Sequence, residues 1–124
     1  MTGPMTESTF WPHLEYRVCR EFAGLRDDTL RALRCDGFLP DAFHAEAPGP
    51  RITGQVWIGR GPRHQEKWQF TLTLGSQVRR AEEIDWSALL PPDDVTGWLS
   101  IDTGRKTMAI NPQAAYPDRN LPTP

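Results

Sequence analysis

Along Trp68-Gln69-Phe70-Thr71-Leu72-Thr73-Leu74 large apolar side chains alternate with polar ones, which is the two-residue period of a strand with one buried face. The interleaved threonines reinforce it, because β-branched side chains sit well on a pleated backbone. Residues 53–59 also read as a strand, and Arg60-Gly61-Pro62-Arg63-His64-Gln65 between the two has the glycine and proline of a surface turn. These two runs are predicted to pair as an antiparallel hairpin. A second hairpin is predicted from residues 96–102 and 105–111, joined through Thr103-Gly104, with Asn111-Pro112 ending the last strand.

The N-terminal third fits two periods at once. Leu14, Val18 and Phe22 lie one helical turn apart, yet Leu14, Tyr16, Val18 and Phe22 also share a strand face. A Ser8 or Thr9 cap, Pro12 in the first turn and Gly24 after the pattern favour the helix. A second helix is predicted over residues 29–36, with Asp27-Asp28 at the positive end of its dipole and Gly37 as its C-terminal cap. Residues 40–46 and 85–90 are expected to form short connecting turns, the latter stopped by Pro91-Pro92. The predicted fold class is therefore α+β, with N-terminal helices packed on a four-stranded antiparallel sheet made of two hairpins. Its core is expected to hold Phe22, Leu30, Leu33, Val56, Ile58, Phe70, Leu72, Leu99 and Ile101.

With 124 residues, 38% of them hydrophobic, the chain is the size of one domain and has enough apolar surface to fold. That domain is assigned to residues 9–111, with a disordered N-terminus over 1–8 and a flexible, proline-rich tail over 112–124. No run is long and apolar enough to span a bilayer and no secretory leader is apparent, so a cytoplasmic protein without membrane partners is expected. In that compartment Cys19 and Cys35 are expected as reduced, partly buried thiols.

Charge is unevenly spread. Residues 51–80 carry six basic side chains against one acid, whereas residues 81–102 carry six acids and no base. Arg60, Arg63, Lys67, Arg79 and Arg80 together with Trp57, Trp68 and Phe70 have the composition of a single-strand nucleic-acid site. The acids that follow, and an overall charge of -2, weigh against a polyanion as partner.

Candidate chemistry is sparse. Cys35, Asp36 and His44 are the nearest approach to a nucleophile with a base, as in a small hydrolase or transferase with a pocket near Cys35, but a helix C-terminus disfavours a thiolate. His13, Cys19, Cys35 and His44 match no metal-ligand spacing, so no metal and no cofactor is expected. The pairs Glu82-Glu83 and Asp93-Asp94 read as solvated acids. What remains is the placement of tryptophan. Strand alternation puts Trp57 opposite Val56 and Ile58, and Trp98 opposite Leu99 and Ile101. Both indoles are thus expected on a polar face with Gln55, flanked by Arg60 and Arg63, forming a surface through which a non-catalytic module binds a protein partner or a second copy of itself as a homodimer.

Overall fold

The computed structural model describes residues 5–112. Helix α1 spans Glu7–Ala23 and a single turn, α2, spans Asp28–Arg31. Strands β1 (Arg34–His44), β2 (Arg51–Gly59) and β3 (Gln65–Thr73) follow, then 3-10 turns at Ala81–Glu83 and Trp86–Leu89, then β4 (Leu99–Asp102) and β5 (Thr107–Ile110). The five strands form one sheet in the order β1-β2-β3-β5-β4.

Helix α1 forms because its apolar positions recur at helical spacing. Phe10, Leu14, Val18 and Phe22 are fully buried, with Trp11 and Arg17 beside them. Its N-cap is Thr6, not Ser8 or Thr9, and the Thr9 hydroxyl accepts the Thr6 N–H at 3.0 Å. The helix thus begins inside the stretch expected to be disordered. Pro12 lies in the second turn and points to solvent. The helix packs on one face of the sheet against Ile52, Val56, Ile58, Trp68, Phe70, Leu72, Met108 and Ile110. Phe70 crosses the strand pair above Gly54, where an added Cβ would come within 2.7 Å of its ring. Glycine at that position lets the ring lie flat against the backbone of β2.

Three expectations are corrected. Residues 29–36 do not form a helix: the Asp27 carboxylate does cap a turn through the Thr29 N–H at 2.9 Å, but from Arg34 the chain pairs with β2. Leu30 and Leu33 are only half-buried, so a longer helix would gain little buried area, whereas strand pairing satisfies the backbone and buries Cys35 and Phe38. Residues 40–46 are not a turn but the continuation of β1 as far as His44. Pro40 fits there because β1 is an edge strand whose register shifts between Pro40 and Ala42, and between Asp36 and Leu39.

The sheet is mixed and five-stranded, not four-stranded and antiparallel. Both predicted hairpins exist, but β5 lies against β3 in parallel, with Phe70 opposite Met108 and Leu72 opposite Ile110. The 74–98 segment carries the chain to the far edge, so β4 is laid down outermost and β5 returns into the gap. Most of the proposed flexible ends, residues 1–4 and 113–124, lie outside the described residues, while Pro112 is buried.

Truncating Phe70 or Trp98 removes a side chain that is 1% exposed, so Phe70→Ala and Trp98→Ala should each lose about 3–5 kcal/mol of folding free energy. Urea midpoints measure this, and a Trp98→Ala protein as stable as the parent would remove Trp98 from the core.

Candidate functional site

Helix α1 covers one face of the sheet, and no described element covers the other. Strand register lays that second face out in rows. The first runs Asp36, Trp57, Lys67; the second Leu39, Gln55, Gln69, Thr107, Asp102; the third Ala42, Thr53, Thr71, Ala109, Ser100; the last His44, Arg51, Thr73. The surface is thus mostly polar. Gln55, Gln69, Thr71 and Thr107 make no side-chain hydrogen bond to any described residue and border a hollow of about 320 Å³.

Trp57 stands on this face, as expected, beside Gln55. Its indole lies against the bulge of β1, where Gly37 has φ +73° and an added Cβ would come within 3.1 Å of Trp57 Cδ1. The Lys67 ammonium sits 5.8 Å from the ring centroid on the neighbouring strand. Leu39, 54% exposed, occupies the adjoining row on the other side of Gln55. Sequence reasoning missed Leu39 because it read this segment as a helix end and a turn. No local signal separates the exposed Leu39 from the buried Phe38, since the two are adjacent apolar residues and only their places in the sheet distinguish them.

Trp98 is not on this face. The paired register of β4 starts at Leu99, Trp98 joins it only at its end, through a carbonyl that accepts the Asn111 N–H at 2.7 Å, and Gly97 with φ +88° turns the chain just before it. Strand alternation therefore does not govern Trp98, whose indole enters the core 5.6 Å from the Arg17 guanidinium. Arg60 and Arg63 are exposed in the β2–β3 turn, and Arg60 donates to the Thr29 carbonyl at 3.4 Å. Trp68 and Phe70 are core residues. Arg80 pairs with Glu83 at 3.5 Å.

The predicted catalytic residues do not assemble. Cys35 is near the start of β1 and His44 at its end, where Nε2 meets the Thr53 hydroxyl at 3.1 Å. Thr53 in turn donates to the Asp41 carboxylate at 3.4 Å. Cys35 is 2% exposed, and burial, aided by Cys19, Glu15 and Asp36, pushes its thiol far above the ordinary range, so it is held as the inert, protonated form.

A groove of about 840 Å³ does open near Cys35, between α1, the start of β1 and the β2–β3 turn. The Cys19 thiol borders it and donates to the Cys35 carbonyl at 3.1 Å. Glu15 projects from α1 so that one carboxylate oxygen accepts the Gly37 and Phe38 N–H groups at 2.9 and 3.2 Å. These are donors that the bulge withdraws from the ladder. Burial raises the Glu15 carboxyl above its ordinary value, opposed by the two N–H groups and assisted by Asp36. Among the described residues no three His, Cys, Asp or Glu side chains gather as metal ligands, and no helix is long and apolar enough to cross a membrane.

A carboxyl raised in the folded state adds stability at low pH that is lost as pH climbs from its ordinary value through the raised one. Glu15→Gln keeps an acceptor for both N–H groups and should flatten this decline, seen in urea midpoints from about pH 4 to 8; parallel profiles for the two proteins would contradict the assignment. In the native protein an alkylating reagent should modify Cys19 well before Cys35, with mass mapping as the readout, and Cys35 should react at the Cys19 rate only after unfolding. No family model matches the chain, and no curated protein or solved structure is significantly similar to it, which leaves the geometry of the open face and of the groove as the basis for a functional reading.

Proposed function

We propose that the protein is a non-catalytic recognition module that binds a protein partner, or a second copy of itself, across the open face of its sheet. The observation that carries this reading is the pair Leu39 and Trp57, both on the face that α1 leaves uncovered and both next to Gln55. Two apolar side chains set among unengaged amides and hydroxyls have the character of an interface centre, with anchors that exclude water and neighbours that supply hydrogen bonds. Trp57 offers a large contact area at low entropic cost because the bulge and Lys67 already restrict its ring. No cofactor is required for such a role, and a reducing, cytoplasmic setting suits two neighbouring thiols that are not joined.

The competing readings have less support. Of Trp57, Trp68 and Phe70, the aromatics expected to stack on bases, only Trp57 stays accessible, since Trp68 and Phe70 are buried. Catalysis at Cys35 would need an accessible thiol beside a base, whereas Cys35 is buried and His44 meets Thr53 at the other end of β1.

Leu39→Asp and Trp57→Ala should each weaken association about thirtyfold or more, measured by sedimentation for self-association and by affinity capture for a partner. Their folding free energies from urea titration should stay within roughly 1 kcal/mol of the parent. Unchanged association in both variants would defeat the proposal.

A further inference from the structure

We infer that the groove between α1 and the β2–β3 turn binds a small zwitterionic ligand, with a free amino group at one end and a carboxylate at the other. The site lies at the outer edge of β1, where Asp36 borders both it and the open face, and it stands whether or not that face binds a protein. Four charged side chains line it: Glu15 and Asp36, Arg34 and Arg60. Among the described residues none of these acids forms an ion pair within 4 Å with either arginine or with any other cation. The Arg34 guanidinium makes no hydrogen bond to a described residue, and that of Arg60 makes one, a long contact to the Thr29 carbonyl at 3.4 Å. Opposite charges that share a groove without neutralising one another are complementary to a ligand that carries both signs.

The two acids are not equivalent. The Glu15 side chain is fixed, because one of its oxygens is held by the Gly37 and Phe38 N–H groups, so its other oxygen is presented at a constant place. Asp36, on the adjacent strand, lies close enough to Glu15 to raise its proton affinity. Two neighbouring carboxylates make a favourable place for an ammonium group, which donates three hydrogen bonds and relieves their mutual repulsion. The guanidinium groups of Arg34 and Arg60 supply planar, two-pronged donors of the kind that match a carboxylate. Tyr16, 62% exposed, and Pro62 add apolar surface for the part of the ligand between its charges. A polyanion is disfavoured by the acids and a simple cation leaves the arginines unused. An α-amino acid or a short peptide with free termini uses all four.

The test is an NMR titration of the full-length protein with alanyl-alanine, alongside its N-acetylated and C-amidated forms. The free dipeptide should shift the Gly37 and Phe38 amides saturably, and each blocked form should bind about fivefold more weakly, the scale of one exposed ion pair. Glu15→Gln should weaken the free and the C-amidated dipeptide but leave the N-acetylated one unchanged. Arg34→Gln should affect the free and the N-acetylated dipeptide and spare the C-amidated one. Both substitutions are conservative, and a urea midpoint for each verifies that the fold persists. Equal binding of blocked and free dipeptides, absence of saturable shifts, or shifts confined to the Leu39 and Trp57 face would overturn the inference.

Discussion

The buried guanidinium of Arg17 holds the architecture together. It is 8% exposed, yet no buried carboxylate among the described residues answers it. Its charge is satisfied by the carbonyls of Pro91 and Pro92, the latter at 2.8 Å, by the Trp98 ring and by Asp93 at 3.6 Å in the solvent. Proline removes a donor from the chain but leaves its carbonyl free, so the Pro91-Pro92 pair that ends a 3-10 turn also forms a stiff acceptor site. Removing Arg17 would strip the Pro91 carbonyl of its guanidinium donor, leave the Pro92 carbonyl with the Val95 N–H alone and take the cover from Trp98, which is why the 74–98 segment and the helix depend on each other.

Glu15, two residues away, fastens α1 in the opposite direction. Its carboxylate takes the two amides that the β1 bulge cannot pair, so the helix is tied to the first strand of the sheet and, through Arg17, to the approach to the last. The two inward charges set the helix across the sheet, while the apolar stripe from Phe10 to Phe22 supplies the burial. Because the same bulge shapes the bed of Trp57 and exposes Leu39, the helix also governs the opposite face. Both candidate sites therefore share a support: Glu15 lines the groove with one oxygen and braces the bulge with the other.

The sequence made some of this legible. Periodicity located both hairpins and the core positions Val56, Ile58, Phe70 and Leu72, because each strand there has one buried face and one polar face. It failed where local signals were stronger than they deserved to be. Asp27, Thr29 and Gly37 carry good helix-end chemistry, and Asp27 does cap a turn, but long-range pairing with β2 overrides helix propensity after Arg34. Pro40 reads as a stop unless the strand is known to lie at an edge, and edge position is a property of the whole sheet. Trp98 was misplaced for a related reason, since alternation holds only within the body of a paired strand and Trp98 stands at its very end, next to the turn at Gly97. Parallel contact between β3 and β5 has no local signature at all. For the sites, Trp57 and Gln55 could be read from spacing, whereas Leu39 and the juxtaposition of Glu15 with Arg34 and Arg60 depend on tertiary contacts.

The insertion of β5 between β3 and β4 has a consequence for how the chain emerges during synthesis. The innermost partner of β3 on that side is the last strand of the described domain, and β4 reaches the sheet only through it. Until residue 110 has left the ribosome, β3 ends the sheet with an unpaired edge rich in Trp68, Phe70 and Leu72. The nascent protein consequently displays an unpaired, apolar strand edge throughout the translation of residues 74–110, and shielding of that edge by a chaperone is most valuable during this interval.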